Sequence, residues 1–195
     1  VSASDLMSRL SVQDSFNVTV TPVNDAPVAN ASAGEGDEDS AINIDLSGSD
    51  IDGDALTFSL GSDASNGSVT VDGSVATYTP ISNFNGADSF TFVASDGELS
   101  SEATVSVTIN PVNDAPTVQD VAGATAEDVD FVLELDGTDI DGDELTFLAS
   151  VSANGSASVS GSTLTVTPDA DYNGTLEVTV TASDGQGSGS GLLTL

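Results

Sequence analysis

The chain repeats itself at a domain-sized interval. PVNDAP stands at residues 22–27 and again at 111–116, and DIDGD at 50–54 and again at 139–143, both pairs 89 residues apart. Further on, NFNG (83–86) returns as DYNG (171–174) and VASDG (93–97) as TASDG (181–185), now 88 residues apart, so one residue is deleted between DIDGD and NFNG. A period near 90 is too long for a solenoid, whose units run roughly 20–50 residues, and marks an array of separate domains. SASD (2–5) and the strand-like SFNVTV (15–20) echo the end of the middle copy. The expected division is residues 1–21 as the C-terminal strands of a preceding module, 22–110 as a whole module, and 111–195 as a module lacking the end of its last strand.

Within one period, INIDL, ALTFSL, GSVTVDG, VATYTP, DSFTFVAS and EATVSVTI alternate apolar with polar residues and are rich in Val, Thr, Ile and Phe. These runs predict strands with one buried face. Asn66-Gly67, Asp72-Gly73, Asn85-Gly86 and Asp96-Gly97 lie between them and suit tight turns. About seven strands per period predict an all-β fold of tandem antiparallel β-sandwiches. Phe58, Phe90 and Phe92 are expected in the core, with Phe147 repeating Phe58. Phe84 and Tyr172, at matching places in NFNG and DYNG, are expected to pack their loop onto the core.

Thirty-two acidic residues face one basic residue, Arg9, and there is no His, giving a formal charge of -31. Carboxylates about 4 Å apart at a surface repel by roughly 4 kcal/mol per pair at an effective dielectric near 20, so a compact fold needs screening or bound cations. The 38% of apolar residues, set in alternating runs, separates the chain from a disordered acidic tail. Nucleic acid and anionic membrane surfaces are excluded as partners, because both are held largely by Lys and Arg. No stretch reaches the roughly 20 apolar residues of a membrane span. No signal sequence opens the chain, and Val1 reads as the interior of something longer. The absence of Cys rules out disulfides and thiolate metal sites and fits a secreted bacterial protein stabilised by metal.

Metal is the natural reading of DIDGD. Asp50, Asp52 and Asp54 alternate along an extended stretch, which turns their carboxylates to one side within reach of a single ion. Oxygen ligands at that density favour Ca²⁺ over Zn²⁺, which takes nitrogen and sulfur. The loop is not an EF-hand. Its sixth and twelfth positions hold Ala55 and Gly61, and in the second copy Glu144 and Ser150, where Gly and Glu are required. Glycine-rich β-roll nonapeptides are absent, and a propeller-type acidic loop would need Asp where Phe58 and Phe147 stand. With no His, Cys or Lys there is no ordinary nucleophile-base pair, so an enzyme is not expected.

GDEDS (36–40), DIDGDALTF, FVASDGELSSEATVSVTI and PVNDAP occur in that order and recur. In this order they resemble the bacterial cadherin-like repeat of large surface adhesins, and the resemblance covers essentially the whole chain. It implies a cadherin/immunoglobulin-like Greek key with Ca²⁺ held at the junctions between modules. At the junction between the whole modules it implies Glu38 from the earlier one, Asn113 and Asp114 from the linker with Asp114 bridging, and Asp139, Asp141 and Asp184 from the later one. At the preceding junction it implies Asn24, Asp25, Asp50, Asp52 and Asp96, with most upstream partners outside the fragment. Glu127 is the counterpart of Glu38 facing the next module. The D-R-E element of animal cadherins has no counterpart beyond Asp88, which implies fewer ions per junction than theirs.

The expected role is a calcium-dependent structural or adhesive repeat, extracellular or on a bacterial cell surface, whose partners are neighbouring modules of the same chain. The alternative is a module that itself binds extracellular polysaccharide or a like module on another cell. The lack of Trp, and of tyrosines beyond Tyr78 and Tyr172, leaves little for a sugar-stacking platform.

Overall fold

The computed structural model describes residues 16–195, all of it strand, turn and loop. The first sandwich is built from β1 (Val28–Asn30), β2 (Ser32–Asp37), β3 (Ile42–Asp45), β4 (Ser47–Ser49), β5 (Thr57–Ser62), β6 (Gly67–Asp72), β7 (Val75–Pro80), β8 (Gly86–Ser95) and β9 (Ser100–Asn110). The second repeats it with β10 (Thr117–Val118), β11 (Val121–Ala122), β12 (Phe131–Glu134), β13 (Gly137–Thr138), β14 (Thr146–Val151), β15 (Gly155–Ser160), β16 (Thr163–Pro168), β17 (Glu177–Ser183) and β18 (Ser188–Thr194). The first and second strands of each unit are interrupted by one or two residues, as are β3 and β4 by Leu46; joined, they give the seven strands expected.

The topology is the same twice. One sheet runs β2-β9-β8-β5 and its counterpart β11-β18-β17-β14; the other runs β3-β7-β6 with β1 on β4, matched by β12-β16-β15 with β10 on β13. The pairings are antiparallel except β2 with β9 and β11 with β18, where the first strand crosses to the opposite sheet and lies parallel to the last. This is the Greek-key sandwich that alternating strands of this number predict.

Each sandwich has its own core. Ile42, Ile44, Tyr78, Phe90, Phe92, Val105, Val107 and Ile109 fill the first, with Phe58 packed 5.9 Å from Phe92 between ring centres. Leu164, Val166, Leu176, Val178, Val180 and Leu193 fill the second, with Phe147 and Tyr172 at its margin. Phe84 lies against the first core as Tyr172 does against the second, the loop-anchoring role expected of both.

Residues 1–15 lie outside the described residues, and with them most of the expected preceding-module segment. Residues 16–27 form no strand, contrary to the expectation for SFNVTV. Phe16, Val18 and Val20 alternate as a strand face would but are exposed, because no neighbouring strand among the described residues supplies a ladder. Among the described residues no helix is long and apolar enough to cross a membrane.

Candidate metal centre at the junction

The DIDGD loops fold around their first aspartate. Asp50 Oδ1 accepts the amides of Asp52, Gly53 and Asp54 at 2.8, 3.1 and 3.3 Å. Asp139 Oδ1 accepts those of Asp141 and Asp143 at 2.9 and 3.3 Å. Gly53 and Gly142, with φ of 84° and 81°, make this wrap possible, since a side chain there would strain the backbone. The wrap commits one oxygen and isolates the other: Asp50 Oδ2 and Asp139 Oδ2 are buried without a hydrogen-bond partner. In each loop the three aspartates offer oxygens within 4.8 Å of one another.

The linker is stitched to the second sandwich on both sides. The Asp114 amide donates to Asp141 Oδ2 at 2.8 Å, and Asn113 Nδ2 donates to Asp184 Oδ2 at 2.9 Å. Asp184 Oδ1 caps its own turn by accepting the amides of Gln186 and Gly187. These bonds, led by that from Gly187 and then Asn113, hold its carboxyl below the ordinary range against some desolvation. Gln186 Nε2 occupies Asn113 Oδ1 at 3.0 Å. Asn113 and Asp184 therefore form a hydrogen-bonded clasp between the linker and the turn that follows β17.

From the other side, Glu38 is 3% exposed and accepts the Val112 amide at 2.7 Å, tying the linker to the first sandwich. Asp39, next to it at a φ of 57°, accepts the Asn83 amide at 3.1 Å. The side-chain amide of Asn83, in its donating orientation, reaches Asp114 Oδ2 at 3.2 Å and Asp39 Oδ2 at 3.3 Å. Asp114 thus stands between the sandwiches. Its carboxyl is raised above the usual range by desolvation first, then by the charges of Asp141, Asp39, Glu38 and Asp139. At Asp114 the structure brings together Glu38, Asp39, Asp139 and Asp141, with the Asn83 amide beside them and Asp143 in the same loop as Asp139 and Asp141.

The upstream site repeats the downstream half of this arrangement. Asp25 N donates to Asp52 Oδ2 at 2.8 Å and Asn24 Nδ2 to Asp96 Oδ2 at 2.9 Å. The Leu99 amide, Asn24 and the Glu98 amide lower the Asp96 carboxyl. Glu98 holds the position of Gln186 and brings another carboxylate instead of a donor. At the far end, Glu127 and Asp128 repeat Glu38 and Asp39, and Asp128 Oδ1 accepts the Asp171 amide at 3.0 Å as Asp39 does that of Asn83. Asp88 is elsewhere: it accepts the Tyr78 hydroxyl at 3.0 Å and the Asn66 amide at 2.8 Å, a tie inside the first sandwich.

The sequence model of the bacterial Ig domain matches residues 24–108 and again 113–195, one match for each sandwich. The chain belongs to the bacterial Ig domain family. These two bacterial Ig domains are also similar to part of integrin beta-like protein A of Dictyostelium discoideum, 34% identical over 170 residues, which covers 72% of this chain and 9% of that protein. The chain thus spans a small part of the curated relative it matches. Among solved structures, Drosophila N-cadherin EC1-4 superposes with a TM-score of 0.55 at 18% identity, covering 88% of this chain and 48% of that one. Human protocadherin-24 EC1-2 gives 0.52 at 15% identity, covering 89% and 95%. These likenesses show the shared cadherin-like sandwich fold.

The donor set fits a hard divalent cation. Carboxylate oxygens predominate, an amide oxygen is available if Asn83 turns over, and no nitrogen or sulfur ligand competes. A buried, unpartnered oxygen such as Asp139 Oδ2 costs free energy unless something binds it.

Proposed function

We propose that this chain is a calcium-dependent structural and adhesive repeat of a bacterial cell-surface or secreted adhesin, with the ion site at the junction governing its stiffness. The observation that carries the reading is the convergence on Asp114 of carboxylates from both sandwiches, beside the unpartnered Asp139 Oδ2. Residues 22–110 and 111–195 act as the two modules, with PVNDAP as their hinge. Glu38, Asp39, Asp114, Asp139 and Asp141 would hold the ion, with Asp143 and Asn83 completing the shell and the Asn113–Asp184 clasp orienting the linker. Asp50, Asp52, Asp25, Asn24 and Asp96 serve the same purpose at the upstream junction. Bound calcium supplies the positive charge that this part of the chain lacks.

Without a cation, like charges face each other across the hinge and push the sandwiches apart. With the carboxylates neutralised, Glu38 and Asp141 grip the linker from both sides and the pair becomes one stiff unit. A ligand that binds only the ordered state stabilises it by mass action, and extracellular modules of this kind hold calcium at about 10⁻⁴ to 10⁻³ M. At ten to a hundred times that dissociation constant, the stabilisation is about 1.4–2.7 kcal/mol per site.

Thermal melts in millimolar calcium, in magnesium and in chelator test this, run beside an Asp114→Ala, Asp139→Ala, Asp141→Ala variant. The expected result is a calcium-specific rise in Tm that the variant loses. Coincident melts in all three conditions overturn the proposal.

A further inference from the structure

Leu145–Pro168 contains no charged residue over 24 positions, in a chain that carries 32 carboxylates. The stretch holds β14 and β15, each the outermost strand of its sheet on the same side of the second sandwich. The matching side of the first sandwich is guarded. There β5 is broken by a register shift between Leu60 and Ser62, Asp63 Oδ1 takes the Val69 amide on the edge of β6 at 3.0 Å, and β6 ends in Asp72. Bulges and edge charges are the usual devices against strand addition. In the second sandwich all three are missing. The β14 ladder on β17 is unbroken over six residues, Ser152 stands in the place of Asp63, and Ser160 in that of Asp72. Leu148, in the middle of β14, is 74% exposed.

We propose that the β14 edge is a pairing surface for a second copy of this chain, joined antiparallel so that the two four-stranded sheets become one of eight. The occupant follows from charge. Acidic residues flank the window closely, Asp143 and Glu144 before it and Asp169 after it, so an incoming strand must itself be free of carboxylates. Within this chain β14 lies in the longest stretch that meets that condition, and an antiparallel edge complements itself. With Leu148 set against Leu148 of the second copy, each shields the other from water. The same register lays each Glu144 opposite Ser152 of its partner copy, where no charge meets it. This contact rests on the edge alone and on no ion, so it stands or falls separately from the junction.

Sedimentation equilibrium of the full chain in physiological salt and millimolar calcium tests the contact. The comparison includes Leu148→Asp, which charges the exposed face, and Ser152→Asp, which restores the first sandwich's guard and sets a carboxylate against Glu144. The expected result is a concentration-dependent dimer, weakened roughly tenfold or more in each variant, while melting curves and their response to calcium stay as in the unmodified chain. A chain that remains monomeric up to about millimolar concentration, or a dimer equally tight in both variants, overturns the proposal.

Discussion

The two sandwiches share every pairing and differ in what fills them. Tyr78, Phe90 and Phe92 of the first are replaced at matching positions by Val166, Val178 and Val180 in the second. Asp88, which accepts the buried Tyr78 hydroxyl, is replaced by the buried Leu176. A hydroxyl and its acceptor have been exchanged together for two apolar groups, so neither core carries an orphaned polar atom at this place. One of the smaller side chains, Val180, borders a cleft of about 310 Å³ in the second sandwich together with Val118, Leu133, Leu135 and Leu193. One topology is thus specified by two different fillings, because the alternation fixes which residues face inward while volume has only to be conserved roughly.

Truncating the aromatic core should break this parity most. Phe92→Ala is expected to cost the first sandwich about 3–5 kcal/mol, whereas Val180→Ala, removing two buried carbons beside an existing cleft, should cost the second about 2 kcal/mol. Calorimetry of the full chain, following each unfolding transition, measures both. Next is the polar pair. Asp88→Leu alone removes the acceptor of the Ser65, Asn66 and Ser89 amides and leaves the Tyr78 hydroxyl only its longer bond to the Asn66 carbonyl at 3.3 Å, and should cost about 1–3 kcal/mol. Adding Tyr78→Val, the second sandwich's own combination, should cost less than the two single changes summed, a coupling that a double-mutant cycle reads directly.

Smaller still is an effect of pH. Burial first, then the hydrogen bond and charge of Asp88, raise the Tyr78 hydroxyl well above its ordinary value. Its neutral form is therefore favoured by folding, and that stability is fully present below the unfolded tyrosine value near 10 and is lost as pH rises through the folded one. The first sandwich should begin to weaken above about pH 10, while Val166 gives the second nothing to ionise at that place. On the acid side, burial raises the Asp88 carboxyl, but the bonds from Asn66, Ser89, Tyr78 and Ser65 outweigh it and leave the group lowered. That contribution is present above the unfolded aspartate value near 4 and fades as pH falls through the folded one. Melting curves over both ranges locate the two losses. The smallest change expected is for Val180→Phe, which restores the first sandwich's volume beside the cleft and should shift stability by less than about 1 kcal/mol. The same insertion at the fully buried Val105 should cost about 1–3 kcal/mol.

Strand positions, inward-facing phenylalanines and both aspartate loops were legible in the sequence because each depends on local spacing that the repeat prints twice. Asp39 and Asn83 were not. Asn83 arrives at the linker through the loop between β7 and β8, and nothing in NFNG announces that its amide will lie 3.2 Å from Asp114. A signal was present nonetheless, since the acidic pair Glu38-Asp39 recurs as Glu127-Asp128 and a polar residue opens both NFNG and DYNG. Asn113 and Asp184 were legible as junction residues, but their binding to each other depends on side-chain placement that the motif does not encode. The strand expected at 15–20 is absent over the described residues 16–20 for a different reason: alternation says which face would be buried and is silent on whether a partner strand is there.

The crossing of β2 to lie parallel with β9 has a mechanical consequence. Ser32–Asp37, just after the short β1 at the first sandwich's entry, and Val105–Asn110 at its exit are paired over six consecutive residues. Tension applied along the chain pulls these two strands in opposite directions along their own axes, so the hydrogen bonds between them are loaded together and not one after another. A force that would peel a hairpin open rung by rung must here rupture the whole ladder at once, and the domain yields late and abruptly.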